Sequence, residues 1–247
     1  KKFSGSIDKS WRISSYSSFI SGRSPNDEMP DRDESAVVSG DEAAVAHASP
    51  GDNRQRDAGD SIGRTIFSFP RGAAAGIFFH DIFEHLNFTA SDDGYKEALV
   101  TNKLTAYGFD PKWQGTVCQT INRVTSIPLR SNLPQLRLSA VRMSDRNNEM
   151  EFYFPLNPIA PGNLSRIFKD HGRLGMAAEF PAQLEKLTFV PLTGFMKGYI
   201  DMIFEHQGRF YLVDWKSNHL GSAPENYDQT ALHTTMQADY YLLQYHI

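Results

Sequence analysis

Apolar residues recur at helical intervals through most of the chain that follows Phe67. In residues 71–88, Phe79, Phe83 and Leu86 fall on one apolar stripe, which predicts a helix. Similar patterns predict four more helices, over residues 93–107, 113–127, 163–170 and 226–245. We therefore expect residues 66–247 to form a globular domain.

Short runs of strand-forming residues predict two β-hairpins. The first joins residues 136–143 to 149–155 through the polar stretch 145–148, and the second joins residues 199–205 to 209–216. Helices and strands that alternate in this order predict an α/β fold, with a central mixed β-sheet flanked by helices.

The first 65 residues have a different composition. Residues 1–20 hold enough aromatic and apolar groups to dock on another surface, so we predict a docking segment there. Residues 21–65 cannot bury enough apolar area to offset their ordering entropy, which predicts an acidic flexible linker or insertion. Residues 21–60 carry ten acidic residues against four arginines, so the remainder of this chain of net charge −4 carries +2. Charge alone therefore does not indicate a nucleic-acid partner.

Three further features limit the setting of the protein. No stretch approaches the roughly 20 apolar residues that span a bilayer, so no membrane partner is expected. The single cysteine, Cys118, excludes an internal disulfide and a cysteine-ligated metal site, and fits a reducing, cytoplasmic setting. The chain starts with Lys1 and Lys2, without an initiator Met or an apolar signal core, so we expect a piece of a longer protein.

The second hairpin brings charged residues together if Gln207 and Gly208 form a two-residue loop. Directly paired residues then place Asp201 opposite Asp214. Facing side chains in an antiparallel pair lie about 4.5–5.5 Å apart at Cβ, and residues two apart share a face. Lys216 therefore joins the two carboxylates on one patch.

Two facing carboxylates repel each other unless a cation lies between them. A divalent ion such as Mg²⁺ or Mn²⁺ meets that need, and it also binds the phosphate oxygens of a substrate. A lysine beside the ion can orient the attacking water or offset developing charge. The alternative is an ordinary surface pair of aspartate and lysine on a hairpin.

The wider pattern resembles the RecB-type nuclease family of the PD-(D/E)XK superfamily, and specifically the carboxy-terminal nuclease domain of the exodeoxyribonuclease V beta chain. The resemblance covers nearly all of the globular part, and the 13-residue spacing from Asp201 to Asp214 belongs to it. It rests on four separated elements: the aromatic segment 11–19, Gly76 and His80 as G-x-x-x-H, residues 192–201 as L-T-G-F-M-K-G-Y-I-D, and residues 214–218 as D-W-K-S-N.

The resemblance implies a restriction-endonuclease-like PD-(D/E)XK core and assigns the site residues by position. His80, Asp201 and Asp214 become metal ligands, together with the main-chain carbonyl of Trp215. Asp201, Asp214 and Lys216 become the catalytic residues. His80 lies one helical turn after Gly76, whose missing side chain would leave room beside it.

The resemblance also reaches the end of the chain. Gln244 falls on the glutamine of the family's Q-x-x-x-Y motif, and the tyrosine of that motif would follow Ile247 directly. The nuclease domain is therefore expected to be truncated. Tyr241 lies three residues before Gln244, and both residues are expected to bind DNA.

The function implied by the resemblance is Mg²⁺-dependent hydrolysis of DNA phosphodiesters, with Mn²⁺ as a possible substitute. The activity would be of the exodeoxyribonuclease V type, within a helicase–nuclease complex for recombinational repair of double-strand breaks. The expected partners are single- and double-stranded DNA ends and the gamma and alpha chains of exodeoxyribonuclease V. ATP is implied only for the helicase part of the parent chain, because no G-x-x-x-x-G-K-[ST] motif is present here.

Two alternatives come from other classes of protein. The first is a non-catalytic docking or DNA-guiding module of the same complex, which has no reason to retain Asp201, Asp214 and Lys216. The second is the nuclease-like domain of a CRISPR-associated protein or an iron–sulfur exonuclease. The absence of a cysteine cluster argues against an iron–sulfur enzyme.

Overall fold

The structure, a computed structural model, describes residues 11–16, 20, 64–171, 179–189 and 192–245. The predicted linker 21–65 lies outside the described residues, except for its last two positions. The predicted docking segment 1–20 is described only at residues 11–16 and 20. The predicted domain boundaries therefore stay predictions.

A mixed four-stranded sheet organises the described part of the chain. The strands are β1 (Trp11–Ser14), β2 (Arg146–Ile159), β3 (Leu192–His206) and β4 (Arg209–Val213). β2 runs antiparallel along one edge of β3, whereas β1 (parallel) and β4 (antiparallel) share the opposite edge. On that opposite edge, residues 197–201 of β3 pair with no other strand of the described ranges, which leaves a notch that ends at Asp201.

Helices flank this sheet, so the predicted α/β fold with a mixed sheet is confirmed. They are α1 (Ala73–His85), α2 (Asp93–Ala106), α3 (Gln114–Ser126), α4 (Pro161–His171), α5 (Phe180–Leu184), α6 (Gln229–Ala238) and α7 (Tyr241–Gln244). Short 3-10 turns cover Ile66–Ser68, Pro111–Trp113, Leu138–Ala140, Met143–Asp145 and Pro224–Tyr227. No helix within the described ranges is long and apolar enough to cross a membrane.

Two apolar clusters hold the helices to the sheet. The larger lies between α1, α2, α3 and the carboxy-terminal half of β3. It includes the fully buried side chains of Phe78, Ile82 and Phe204. Phe79, expected on the buried stripe, is only half-buried. The smaller cluster joins α4, α5 and α7 to the amino-terminal segment through buried residues that include Phe180 and Tyr16.

The predicted first hairpin is wrong. Leu138–Ala140 and Met143–Asp145 form 3-10 turns, and three of the four polar residues expected in the loop, 146–148, begin the long strand β2. Leu136 and Leu138 are buried at alternate positions, which imitates a strand. Arg146 and Asn148 belong in β2 because their side chains donate hydrogen bonds to carbonyls at the end of α1, those of Leu86 and Glu84.

The predicted single terminal helix over residues 226–245 is also wrong. Asp228 caps a new helix by accepting a hydrogen bond from the main-chain N–H of Ala231. That helix ends at Ala238, and Tyr240 adopts a left-handed conformation with φ of 58° before α7 begins. The terminal region therefore contains two helices with a break between them.

Gly198→Ala should destabilise the sheet, because a Cβ there would lie 2.5 Å from Cζ of Phe152 on the neighbouring strand. We expect a loss of about 1–3 kcal/mol in the free energy of unfolding, measured by urea denaturation. Gly115→Ala in α3 is the matched control, since its Cβ would meet nothing within 4 Å. Equal stability of the two variants would contradict the prediction.

Candidate active site

The β3–β4 hairpin has the register that the sequence predicted. Gln207 and Gly208 both have positive φ, 53° and 73°, which is the two-residue turn that matches the twist of paired strands. Pairing runs from His206 with Arg209 to Met202 with Val213. The next position in this register would pair Asp201 with Asp214, where β4 has ended. The two aspartates therefore come together at the mouth of the notch.

Asp201 binds the main chain just after the end of β4. Its Oδ2 accepts a hydrogen bond of 2.6 Å from the main-chain N–H of Trp215. The indole ring of Trp215 stacks on Phe83 of α1, with ring centroids 4.3 Å apart and planes 14° apart. The carboxylate and the stack together fix the direction in which the Trp215 carbonyl points.

That carbonyl points at His80. Nε2 of His80 lies 2.7 Å from the oxygen of Trp215, and Nδ1 lies 3.5 Å from Oδ2 of Asp201. The imidazole is 8% exposed, and among the described residues its Nδ1 has no hydrogen-bond partner. The structure thus brings together three of the four predicted metal ligands.

Asp214 lies beside Lys216 and Gln244. Nζ of Lys216 is 2.8 Å from Oδ2 of Asp214, and Nε2 of Gln244 donates to Oδ1 at 3.2 Å. The Asp214 and Lys216 side chains are 20% and 17% exposed, so solvent weakens their attraction less than it would on an open surface. Gln244, predicted to bind DNA, therefore contacts a predicted metal ligand.

The aromatic ring of Tyr241 forms one side of the same group. Nζ of Lys216 lies 4.8 Å from its centroid, a cation–π distance. The Tyr241 hydroxyl donates to Oδ1 of Asn218, whose amide in turn donates to Asp239. Asn218 belongs to the D-W-K-S-N block, but its partners could not be predicted from the sequence pattern.

Three more residues at the site were missed by sequence reasoning. Phe83 could have been noticed because it lies one turn after His80, and Tyr245 because it follows Gln244. Asp239 carried no sequence signal. Burial of the Tyr245 hydroxyl and the negative charge of Asp214 raise the pKa of that tyrosine, although most of its ring surface is exposed.

The donor atoms suit a hard divalent cation. Carboxylate and carbonyl oxygens with one imidazole nitrogen are ligands that Mn²⁺ and Mg²⁺ accept. Neighbouring ligands of an octahedral ion bound at about 2.1 Å lie about 3 Å apart. The 2.7 Å between Nε2 of His80 and the Trp215 oxygen is close to that value. One ring nitrogen of His80, the Trp215 oxygen and the Asp201 carboxylate are therefore donors of the types that such an ion accepts.

A second group on α1 could also hold a metal ion, formed by Asp81, Glu84 and His85. Asp81 accepts hydrogen bonds from Nζ of Lys103 at 2.7 Å and from the Tyr107 hydroxyl at 3.0 Å. Burial alone would raise the pKa of Asp81, but these two hydrogen bonds and the positive charges of Lys103 and His85 together lower it. The lysine therefore supplies the positive charge that an ion would otherwise provide.

Several relatives of this chain are described as RecBCD enzyme subunit RecB. The protein from Escherichia coli is 36% identical over 74% of the chain, and the one from Haemophilus influenzae is 29% identical over 99%. The protein from Mycobacterium tuberculosis is 26% identical over 99% of the chain. The chain belongs to the RecB family. The predicted family resemblance is thereby confirmed.

The RecB relatives are much longer than this chain. It spans 15% of the Escherichia coli protein, 19% of the Haemophilus influenzae protein and 23% of the Mycobacterium tuberculosis protein. No protein-family model matches the chain. The roles of the individual site residues stay predictions.

The raised pKa of Tyr245 gives a direct probe of Asp214. Asp214→Asn should lower the pKa of Tyr245, because the negative charge that opposes tyrosinate is removed while Lys216 remains. The measurement is an alkaline ultraviolet titration, with Tyr245→Phe subtracted to isolate this one tyrosine. Asp145→Asn, which removes a carboxylate elsewhere, should leave the curve unchanged; an unchanged curve in Asp214→Asn would contradict the placement of Tyr245.

Proposed function

We propose that this chain hydrolyses DNA phosphodiester bonds with Mg²⁺ or Mn²⁺, on a PD-(D/E)XK core. The observation that supports this best is that His80 lies against both the Trp215 carbonyl and the Asp201 carboxylate. Nε2 of His80 is 2.7 Å from the carbonyl oxygen and Nδ1 is 3.5 Å from the carboxylate. The imidazole and the carbonyl can hydrogen-bond to each other in the metal-free protein, and the same nitrogen and oxygen atoms are of the types that a divalent cation accepts.

The proposed ligands are His80, Asp201, Asp214 and the main-chain carbonyl of Trp215. A divalent ion bound by them would polarise the phosphodiester and acidify a water molecule. The hydrogen bond from the Trp215 N–H orients the Asp201 carboxylate, and the amide of Gln244 orients that of Asp214. Preorganised donors of this kind avoid the energetic cost of reorganisation during the reaction.

Lys216 is the proposed catalytic lysine. Its ammonium is held next to Asp214 and against the ring of Tyr241, so it is kept in place. From this position it can donate a hydrogen bond to the attacking water or to a phosphate oxygen that gains charge. Tyr241 and Gln244 lie close enough to the site to contact the DNA strand as well.

The wider role follows from the RecB relatives, which are described as subunits of the RecBCD enzyme. We propose exodeoxyribonuclease V-type activity on single- and double-stranded DNA ends during recombinational repair. The partners would be the gamma and alpha chains of that enzyme. The parent chain would use ATP in its helicase part, and the complex would work in the cytoplasm.

Asp214→Ala should reduce digestion of linear single-stranded DNA by at least about 100-fold, because it removes a metal ligand and the partner of Lys216. The assay uses Mg²⁺ or Mn²⁺ and compares the variant with the unmodified chain. Each protein is also prepared in a version that continues beyond Ile247. Asp145→Ala is the matched control, since Asp145 also pairs with a basic residue, Arg142, but lies outside the site.

Calorimetric measurement of Mn²⁺ binding distinguishes a catalytic domain from a docking or DNA-guiding module. A nuclease should bind the ion, and Asp214→Ala should lose that binding. If the unmodified protein and its longer version neither cut DNA nor bind Mn²⁺, the catalytic proposal fails. The family resemblance would then indicate a docking or DNA-guiding module.

A further inference from the structure

The break before α7 places a non-glycine residue in an unfavourable conformation. Tyr240 has φ of 58°, in the left-handed region, where a residue with a Cβ loses about 1–2 kcal/mol. Such a conformation persists only where its surroundings hold it. Tyr240 is 6% exposed, so these surroundings are other parts of the protein rather than solvent.

Two long-range hydrogen bonds hold Tyr240. The hydroxyl of Tyr16, which follows β1, donates to the main-chain carbonyl of Tyr240 at 2.5 Å. The hydroxyl of Tyr240 itself donates to the carbonyl of Gln183 in α5 at 3.2 Å. Tyr16 is also 6% exposed, and its hydrogen bond joins positions 224 residues apart in the chain. The amino-terminal segment therefore reaches the last turn of the described chain.

The main-chain carbonyl of Tyr240 also accepts the first hydrogen bonds of α7. The main-chain N–H of Leu243 donates to the Tyr240 oxygen at 2.8 Å, and that of Gln244 does so at 3.4 Å. Tyr16 thus fixes the acceptor around which the first turn of α7 forms. Gln244 is at the end of this turn, and its amide reaches Oδ1 of Asp214. An uninterrupted helix from α6 would carry Gln244 in another direction.

We propose that Tyr16 is a positioning residue, whose hydroxyl holds the left-handed turn at Tyr240 so that Gln244 contacts Asp214. The inference rests on the proposed function only in treating Asp214 as a metal ligand. It extends that function by making the amino-terminal strand segment part of the active domain. Groups that orient a ligand carboxylate in this way affect metal affinity by about 10–100-fold.

The test measures the Mn²⁺ dissociation constant of the unmodified chain, Tyr16→Phe, Gln244→Ala and the double variant. We expect each single variant to raise the constant about 10-fold, and the double variant to raise it about 10-fold as well, rather than about 100-fold. Equal effects of the single and double variants arise only if Tyr16 acts through Gln244. Tyr153→Phe is the control, because it removes a tyrosine hydroxyl that donates to Glu151 and not to Tyr240, Gln244 or Asp214.

A second readout needs no metal. In the ¹⁵N-labelled chain, the side-chain amide resonance of Gln244, assigned from its loss in Gln244→Ala, should move in Tyr16→Phe and stay fixed in Tyr153→Phe. A Tyr16→Phe variant that melts earlier but keeps the Gln244 resonance and the Mn²⁺ affinity would overturn the proposal, as would multiplicative effects in the double variant. If no protein binds Mn²⁺ yet the resonance moves as expected, the proposed function fails and the positioning role stands.

Discussion

The hydrogen bond from the Trp215 N–H to the Asp201 carboxylate is the contact on which the site depends. β4 stops pairing at Val213, so the backbone groups that follow need partners outside the sheet. Asp201 supplies one of them at 2.6 Å, and the same peptide segment then presents the Trp215 carbonyl to His80. A side chain has replaced a strand as the hydrogen-bond partner. This replacement brings residues that we propose as cation ligands together at the end of the hairpin.

The helix that carries His80 is anchored at both the middle and the end. Phe83 stacks on Trp215, which ties α1 to the segment after β4. Arg146 and Asn148 of β2 bind carbonyls at the end of α1, and the guanidinium of Arg146 also covers the ring of Phe88 at 3.9 Å. These contacts join α1 to β2 on one side of β3 and to the segment after β4 on the other. His80 is thus held in a fixed position relative to Asp201.

The sequence pattern correctly predicted the elements whose structure depends on residues close by in the chain. The β3–β4 register followed from two loop residues, and a slip by one residue would have turned Asp214 to the other face. Local pattern failed where distant partners decide. The strand that begins at Arg146 depends on the end of α1, and the break at Tyr240 depends on Tyr16. His80 was assigned from family resemblance, because helical spacing alone cannot show that a carbonyl 135 residues away will face its ring.

The charges of the site explain how a hairpin tolerates the carboxylates of Asp201 and Asp214 at facing positions of its two arms. Lys216 pairs with Asp214 at 2.8 Å, while Asp201 accepts a hydrogen bond from the Trp215 N–H and lies 3.5 Å from Nδ1 of His80. Two carboxylates and one ammonium leave one negative charge. A divalent cation would convert this to one positive charge, which matches the single negative charge of a phosphodiester. A second lysine in place of the ion would neutralise the site but would leave nothing to attract that phosphate. The net charge of these three side chains is therefore compatible with the divalent ion of the proposed function.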